Sequence, residues 1–153
     1  GGSTGCIVEV RRGEGGGKVV ECSNVGDSRA VAVVVSPDGK VSGRQISVDH
    51  KPDMDEEEIK RIEDAGMKVE KGRVVKGNSE SLGLSRAFGD YDYKDNEKIP
   101  FEDQAVVARP TCVTLGLDDE ILEGGNVWGV VVGCDGIWDV LGNDEVAGMA
   151  RGD

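Results

Sequence analysis

Residues 19–35 read VVECSNVGDSRAVAVVV, and most of the architecture turns on how that stretch is parsed. Val19 to Val25 and Arg29 to Val35 are runs rich in β-branched residues, which suit a pleated, half-buried surface. Gly26-Asp27-Ser28 interrupts them, where glycine lets the backbone turn sharply and presents an aspartate at a strand end. On the N-terminal side, Cys6 to Val10 (CIVEV) predicts an earlier strand, separated by the polar, glycine-rich loop Arg11 to Lys18. On the C-terminal side, Ser36-Pro37-Asp38-Gly39 is a turn, because proline fixes φ and glycine supplies a positive φ. Val41 and Gln45 to Val48 then give a returning strand. Together these segments predict an antiparallel meander.

Beyond the meander, Asp53 to Ala65 (DMDEEEIKRIEDA) predicts a helix. Acidic residues crowd its first turns, where the helix dipole favours them, and Gly66 fits the C-terminal cap. Ile59, Ile62 and Met67 form a narrow apolar stripe, so the helix should seat by one edge and leave its charge run as a solvated face. Lys68 to Gly77 reads as an irregular strand pair, and Tyr91 to Val106, charged and without period, as a long loop. Val127 to Gly133 predicts a buried strand ended by Cys134-Asp135-Gly136. Asp139 to Leu141 and Asp144 to Ala150 read as helical, with Asn143 as N-cap.

The 153 residues fit one domain. Eighteen Lys and Arg against thirty Asp and Glu give a net charge of -12, which argues against nucleic acid or a polybasic membrane contact as partner. Cys6, Cys22, Cys112 and Cys134 form no C-x-x-C pair, which argues against zinc. They read as reduced thiols of a cytoplasmic or nuclear protein, with Cys134 a buried small hydrophobe. No run approaches 18 apolar residues, so no transmembrane helix is expected. The opening Gly1-Gly2-Ser3-Thr4 has neither methionine nor a signal-peptide core, and suggests a segment of a longer protein. The sequence is silent on oligomeric state.

A single histidine, His50, removes most nucleophilic mechanisms, and in Val48-Asp49-His50-Lys51-Pro52 it reads as a loop or helix-entry residue rather than a base. Gly83-Leu84-Ser85-Arg86-Ala87 lacks the last glycine of a nucleophile elbow, and no phosphate-binding P-loop is present. Aspartates are more telling. Val25-Gly26-Asp27, Phe88-Gly89-Asp90 and Gly133-Cys134-Asp135-Gly136 each bring a carboxylate beside glycine at the end of a compact segment. One such aspartate is a turn former; three, with no histidine base at hand, favour hard cations held by oxygen ligands. Asp135 and Asp139, four apart, share a face if the segment is helical. Two like charges there call for a cation or a positive side chain between them, unless Asp139 merely caps the next segment.

Four strings occur in order: Asn24-Val25-Gly26-Asp27-Ser28-Arg29-Ala30, Asp49-His50-Lys51-Pro52, Leu84-Ser85-Arg86-Ala87-Phe88-Gly89-Asp90 and Cys134-Asp135-Gly136-Ile137-Trp138-Asp139-Val140. Together they closely resemble the type-2C metal-dependent serine/threonine protein phosphatases, the PPM family, and Gly2-Ser3-Thr4 is similar to the family's entrance to a central strand. The resemblance covers essentially the whole chain. It implies an α+β fold, a β-sandwich of two antiparallel sheets flanked by helices. It also implies a hydrolase of signalling that acts on phosphoprotein substrates, using Mg2+ or Mn2+ to activate a water against phosphoserine or phosphothreonine. By motif, Asp135 is similar to a core metal ligand, and Asp27 and Asp139 to ligands, with Asp135, of a further weaker metal. Arg86 would belong to the flap running from Pro52, meeting substrate or forming a salt bridge with Asp90 or another acid.

The chain also departs from the family pattern. The family's N-terminal part, with its phosphate-binding arginine and Asp-Gly-His-Gly-Gly motif, is absent, as is the last aspartate ligand of an Asp-Asn pair. Residues 1–153 therefore read as a partial catalytic domain with no catalytic residue of its own, expected to be inactive alone. The competing reading is a pseudophosphatase or regulatory binding module.

Overall fold

The computed structural model describes residues 1–14, 16–77, 80–116 and 125–152. The described strands are β1 (Gly2–Ser3), β2 (Gly5–Arg12), β3 (Lys18–Val25), β4 (Arg29–Val35), β5 (Val41–Gln45), β6 (Lys68–Glu70), β7 (Arg73–Lys76), β8 (Glu80–Leu82), β9 (Phe88–Gly89), β10 (Thr111–Gly116) and β11 (Asn126–Gly133). The α-helices are α1 (Glu56–Asp64), α2 (Asp135–Trp138) and α3 (Asn143–Arg151). The chain divides into two compact units.

One unit comprises Cys6–Asn24, Ser28–Val48 and Thr111–Asp153. It holds two three-stranded sheets, ordered β10-β3-β2 and β11-β4-β5. Val20, Cys22 and Leu115 of the first sheet pack with Ala30, Ala32 and Val34 of β4 and with Ile46 to form the sandwich core. The intervening Val31 of β4 points to the opposite face, where it meets Trp138 and Val146 of the helices. Both faces of β4 are covered, which is why it reads as a continuous apolar run instead of an alternation. Gly43 of β5 leaves room for the start of α3, since a Cβ there would collide with the Asn143 carbonyl. Its N–H donates to Asp144 Oδ1 at 2.8 Å. The expected α+β sandwich of antiparallel sheets flanked by helices is thus observed.

Several local expectations change. The meander is not one sheet: β3 and β4 belong to different sheets, so Gly26-Asp27-Ser28 carries the chain from one to the other. The buried Asn24 side chain spans this crossing: its Nδ2 donates to both Ser28 O and Val48 O at 2.8 Å. Strand β10 has no counterpart in the sequence reading; its pairing with β3, Thr111 opposite Asn24 to Gly116 opposite Val19, is a long-range contact. Strand β11, an end strand of its sheet among the described residues, is not buried throughout: Trp128 and Val132 are exposed. Cys134 is exposed, because it lies beyond the strand, in the extended residue that caps α2. Gly142, not Asn143, caps α3, its N–H bonded to Glu145 Oε2 at 2.8 Å, while the Asn143 amide oxygen accepts from Arg29 Nη1 at 2.9 Å.

The other unit comprises Gly1–Gly5, Val25–Asp27 and Asp49–Pro110. Helix α1 starts at Asp55, whose Oδ1 accepts the Glu58 N–H at 2.8 Å, a standard N-cap. Its inward residues are Glu58, Ile62 and Ala65. Ile62 packs with Val74, Ala87, Tyr93, Ala105 and Val106; fully burying one such side chain stabilises by roughly 1.5–3 kcal/mol. Strands β6, β7 and β8 form an antiparallel sheet, and β1 pairs with β9. The segment 91–106 is more ordered than a plain loop. It contains 3-10 turns at Tyr91–Tyr93 and Phe101–Asp103. The buried Gln104 side chain clamps Asn96, donating to its carbonyl at 2.8 Å and accepting its N–H at 3.1 Å.

Candidate functional site

Asp135 opens α2 directly after β11, and Asp139 closes it, with the Asp139 N–H bonded to Asp135 O at 2.8 Å. One helical turn therefore separates two exposed carboxylates on one face, as their spacing predicts. The turn is anchored from below. Trp138 is buried, its Nε1 donates to Gly133 O at 2.8 Å, and the Arg29 guanidinium lies 5.5 Å above its ring. Gly133 lies close under this turn: a Cβ there would sit 2.9 Å from the tip of the exposed Ile137 side chain and 3.3 Å from the indole nitrogen. The Gly133-to-Asp139 string is thus a tryptophan-locked turn that presents two acids to solvent.

Asp27 follows Gly26 in the unit that holds α1. It is 7% exposed, and Lys51 Nζ reaches its Oδ2 at 2.6 Å. Gly26 adopts φ +99°, a region that favours glycine, and a Cβ there would collide with Thr4. His50 pins this turn. Its N–H donates to Gly26 O at 2.9 Å, and its Nδ1 lies 3.2 Å from Gly26 N. Burial, followed by the charge of Arg86, pushes the His50 ring down to about 4, so it is neutral near pH 7. It is a buried tether, in keeping with the loop reading of the sequence.

Arg86 lies against Glu58, with Nη2 donating to Oε1 at 2.7 Å, and its Nη1 reaches Arg109 O at 3.1 Å. Of the acids open to Arg86, Glu58 on α1 is one it pairs with. Arg61 holds the same carboxylate, through Nη1 to Oε1 and through Nη2 to Oε2 at 3.0 Å, while Ser85 Oγ donates to Oε2 at 2.5 Å. Burial pushes the Glu58 carboxyl up, but the bonds from Arg61, Arg86 and Ser85 outweigh it and hold it at about 2. Ser85 N–H also donates to His50 O at 3.0 Å, which links this network to the Gly26 turn. The charge run of α1 is therefore split: Glu56 and Glu57 are exposed, while Glu58 is an interior charge. The helical period could have shown this, because Glu58 is four residues before Ile62.

Asp135 and Asp139 are brought together within one turn, and Asp27 and Arg86 sit in the other unit with partners of their own. Among the described residues, no three His, Cys, Asp or Glu side chains converge in a metal-holding group.

The fold is that of solved serine/threonine phosphatases. The serine-threonine phosphatase 2C of Toxoplasma gondii superposes with a TM-score of 0.66 at 25% identity, covering 88% of this chain and 43% of that one. A second phosphatase from a pathogenic Toxoplasma gondii strain gives a TM-score of 0.60 at 30% identity, covering 89% and 40%. The protein phosphatase 2C family matches residues 1–153, and the chain belongs to that family. Among curated relatives, a probable protein phosphatase 2C of Caenorhabditis elegans is 41% identical over 152 residues, 98% of this chain and 36% of its own length. Human protein phosphatase 1G is 40% identical over 145 residues, 95% of this chain and 23% of its own length. The chain thus spans about a third or less of these two relatives.

Proposed function

We propose that this chain supplies part of the catalytic domain of a Mg2+- or Mn2+-dependent protein phosphatase acting on phosphoserine or phosphothreonine proteins. The observation that carries the reading is the pair of exposed carboxylates, Asp135 and Asp139, on a turn locked by Trp138. Their donor chemistry fits a hard divalent cation, which takes oxygen ligands and retains several waters. Their number does not close a ligand set, since no third acid converges with them among the described residues. When bound, such a cation supplies an activated water and neutralises charge on phosphoryl oxygens.

This chain's own residues would do the holding and positioning. Asp135 and Asp139 offer the oxygens, and the Trp138 indole, bonded to Gly133 O, fixes the angle of the turn. Asp27, in the other unit, is a carboxylate that we propose as a cation ligand in its own right. A cation there must displace the Lys51 ammonium, which now neutralises the carboxylate at 2.6 Å. Arg86 is committed to Glu58 and Arg109 O, so we assign it to holding the flap segment.

With so few fixed ligands and no positioned general acid, the isolated chain should not turn over. The test is release of phosphate from a phosphothreonine peptide in millimolar Mn2+, with EDTA and Asp135→Ala as controls. No turnover is expected from the isolated chain, and Mn2+-dependent turnover from a longer protein that contains it. Turnover by the isolated chain, abolished by both controls, would overturn the incomplete-site reading. A longer protein that binds phosphoprotein without turnover would instead support a regulatory binding module.

A further inference from the structure

Cys6 of β2 and Cys22 of β3 lie on neighbouring strands of one sheet, with their sulfur atoms 3.8 Å apart. Both belong to the sandwich core, Cys22 at 1% exposure and Cys6 half-buried against the same cluster. We propose that Cys6 and Cys22 form a reversible intramolecular disulfide under peroxide, a redox modification site distinct from the acid-bearing turn at Asp135.

The two sulfurs are in van der Waals contact and must close to about 2.05 Å. The other two cysteines are placed differently: Cys112 has its sulfur 3.1 Å from Ser23 Oγ, and Cys134 is exposed on the helix cap. The roles within the pair follow from access. Cys6, half-buried, is the thiol a small peroxide can reach. Cys22 is sealed with its sulfur 3.8 Å from that of Cys6, which places it as the resolving partner; burial, followed by the neighbouring Cys6, pushes its thiol up to about 12, so peroxide meets Cys6 first.

The chemistry balances. The Cys6 thiolate attacks one peroxide oxygen; an S–O bond forms, the O–O bond breaks, and water leaves. Cys22 sulfur then displaces the hydroxyl from the Cys6 sulfenic acid; an S–S bond forms, the S–O bond breaks, and a second water carries off the Cys22 proton. Two thiols are oxidised by two electrons, and the peroxide is reduced to two waters. A small thiol such as glutathione reverses the step by exchange. The bridge would staple β2 to β3 across the glycine-rich loop between them.

The experiment treats the native chain with hydrogen peroxide, blocks remaining thiols with iodoacetamide, and maps tryptic peptides by mass spectrometry without reduction. Cys6 and Cys22 fall in separate peptides, Gly1 to Arg11 and Val19 to Arg29. The expected result is one linked species of these two peptides, two hydrogens lighter than their sum, which disappears with dithiothreitol and fails to form in urea. Cys6→Ser should leave Cys22 reduced. A Cys112→Ser, Cys134→Ser double variant should link as the wild type does, which holds the proposal testable without disturbing the core. Recovery of Cys6 and Cys22 as separate alkylated or over-oxidised peptides would overturn it, as would a link from either one to Cys112 or Cys134.

Discussion

Replacing Glu58 by glutamine keeps the side chain's volume and removes its charge. In the structure that carboxylate is 2% exposed and receives Arg61, Arg86 and Ser85. Its folded value of about 2 lies roughly 2.5 units below the ordinary 4.5, which at about 1.4 kcal/mol per unit corresponds to about 3 kcal/mol. Breaking a buried ion pair by removing one partner costs about 3–5 kcal/mol, so the two routes agree on the order of magnitude. Because the folded value is depressed, the contribution is complete above about pH 4.5 and is lost as pH falls towards 2. Urea unfolding followed by far-ultraviolet circular dichroism at pH 7 should show Glu58→Gln less stable by about 3 kcal/mol. The wild type should lose that difference between pH 4.5 and 2. A loss under about 1 kcal/mol at pH 7, or the same acid dependence in variant and wild type, would rule out a stabilising interior charge at Glu58.

Three further outcomes rest on the same geometry. Neutral His50, held at about 4 against the ordinary 6.5, contributes stability that is complete above pH 6.5 and lost as pH falls towards 4. His50→Asn should therefore flatten the stability profile between pH 6.5 and 4.5, a window in which Glu58 is still fully charged; an unchanged slope would contradict the burial argument. Gly133→Ala places a methyl against Trp138 and the movable tip of Ile137, and should change the near-ultraviolet dichroism of the tryptophans while costing no more than about 1 kcal/mol. Gly26→Ala, at φ +99° and against Thr4, should lose at least about 1 kcal/mol and speed amide exchange at His50, whose N–H bonds to the carbonyl of that position.

What the sequence discloses and what it hides have separate physical causes. Local patterns carried far: the β-branched runs of β3 and β4, the proline-glycine turn and the acidic start of α1 all state their structure within a few residues. The sandwich itself was harder to read, because whether Gly26-Asp27-Ser28 turns back or crosses between sheets depends on Asn24 bonding Val48 O, twenty-four residues away. Strand β10 is defined by its partner β3, and that partner is remote in sequence. The Asp135–Asp139 pairing was legible because helical geometry fixes i and i+4. For Glu58 the helical period carries the inward position, four residues before Ile62, but not what neutralises it, because two of its three partners, Ser85 and Arg86, are distant in sequence. Cys134 shows the opposite error, an apolar neighbourhood in sequence that ends one residue before the chain leaves the strand.

The proposed function centres on the Trp138-locked turn, whose Asp135 and Asp139 we propose as two ligands of a divalent cation. Titration of the isolated chain with Mn2+, following the free-ion signal by electron paramagnetic resonance, probes that pair without any need for turnover. The expected result is weak binding, in the millimolar range of sites with few fixed carboxylates, and its further loss in Asp135→Asn and Asp139→Asn with the fold unchanged. Binding that is identical in wild type and both variants would contradict a ligand role for the pair.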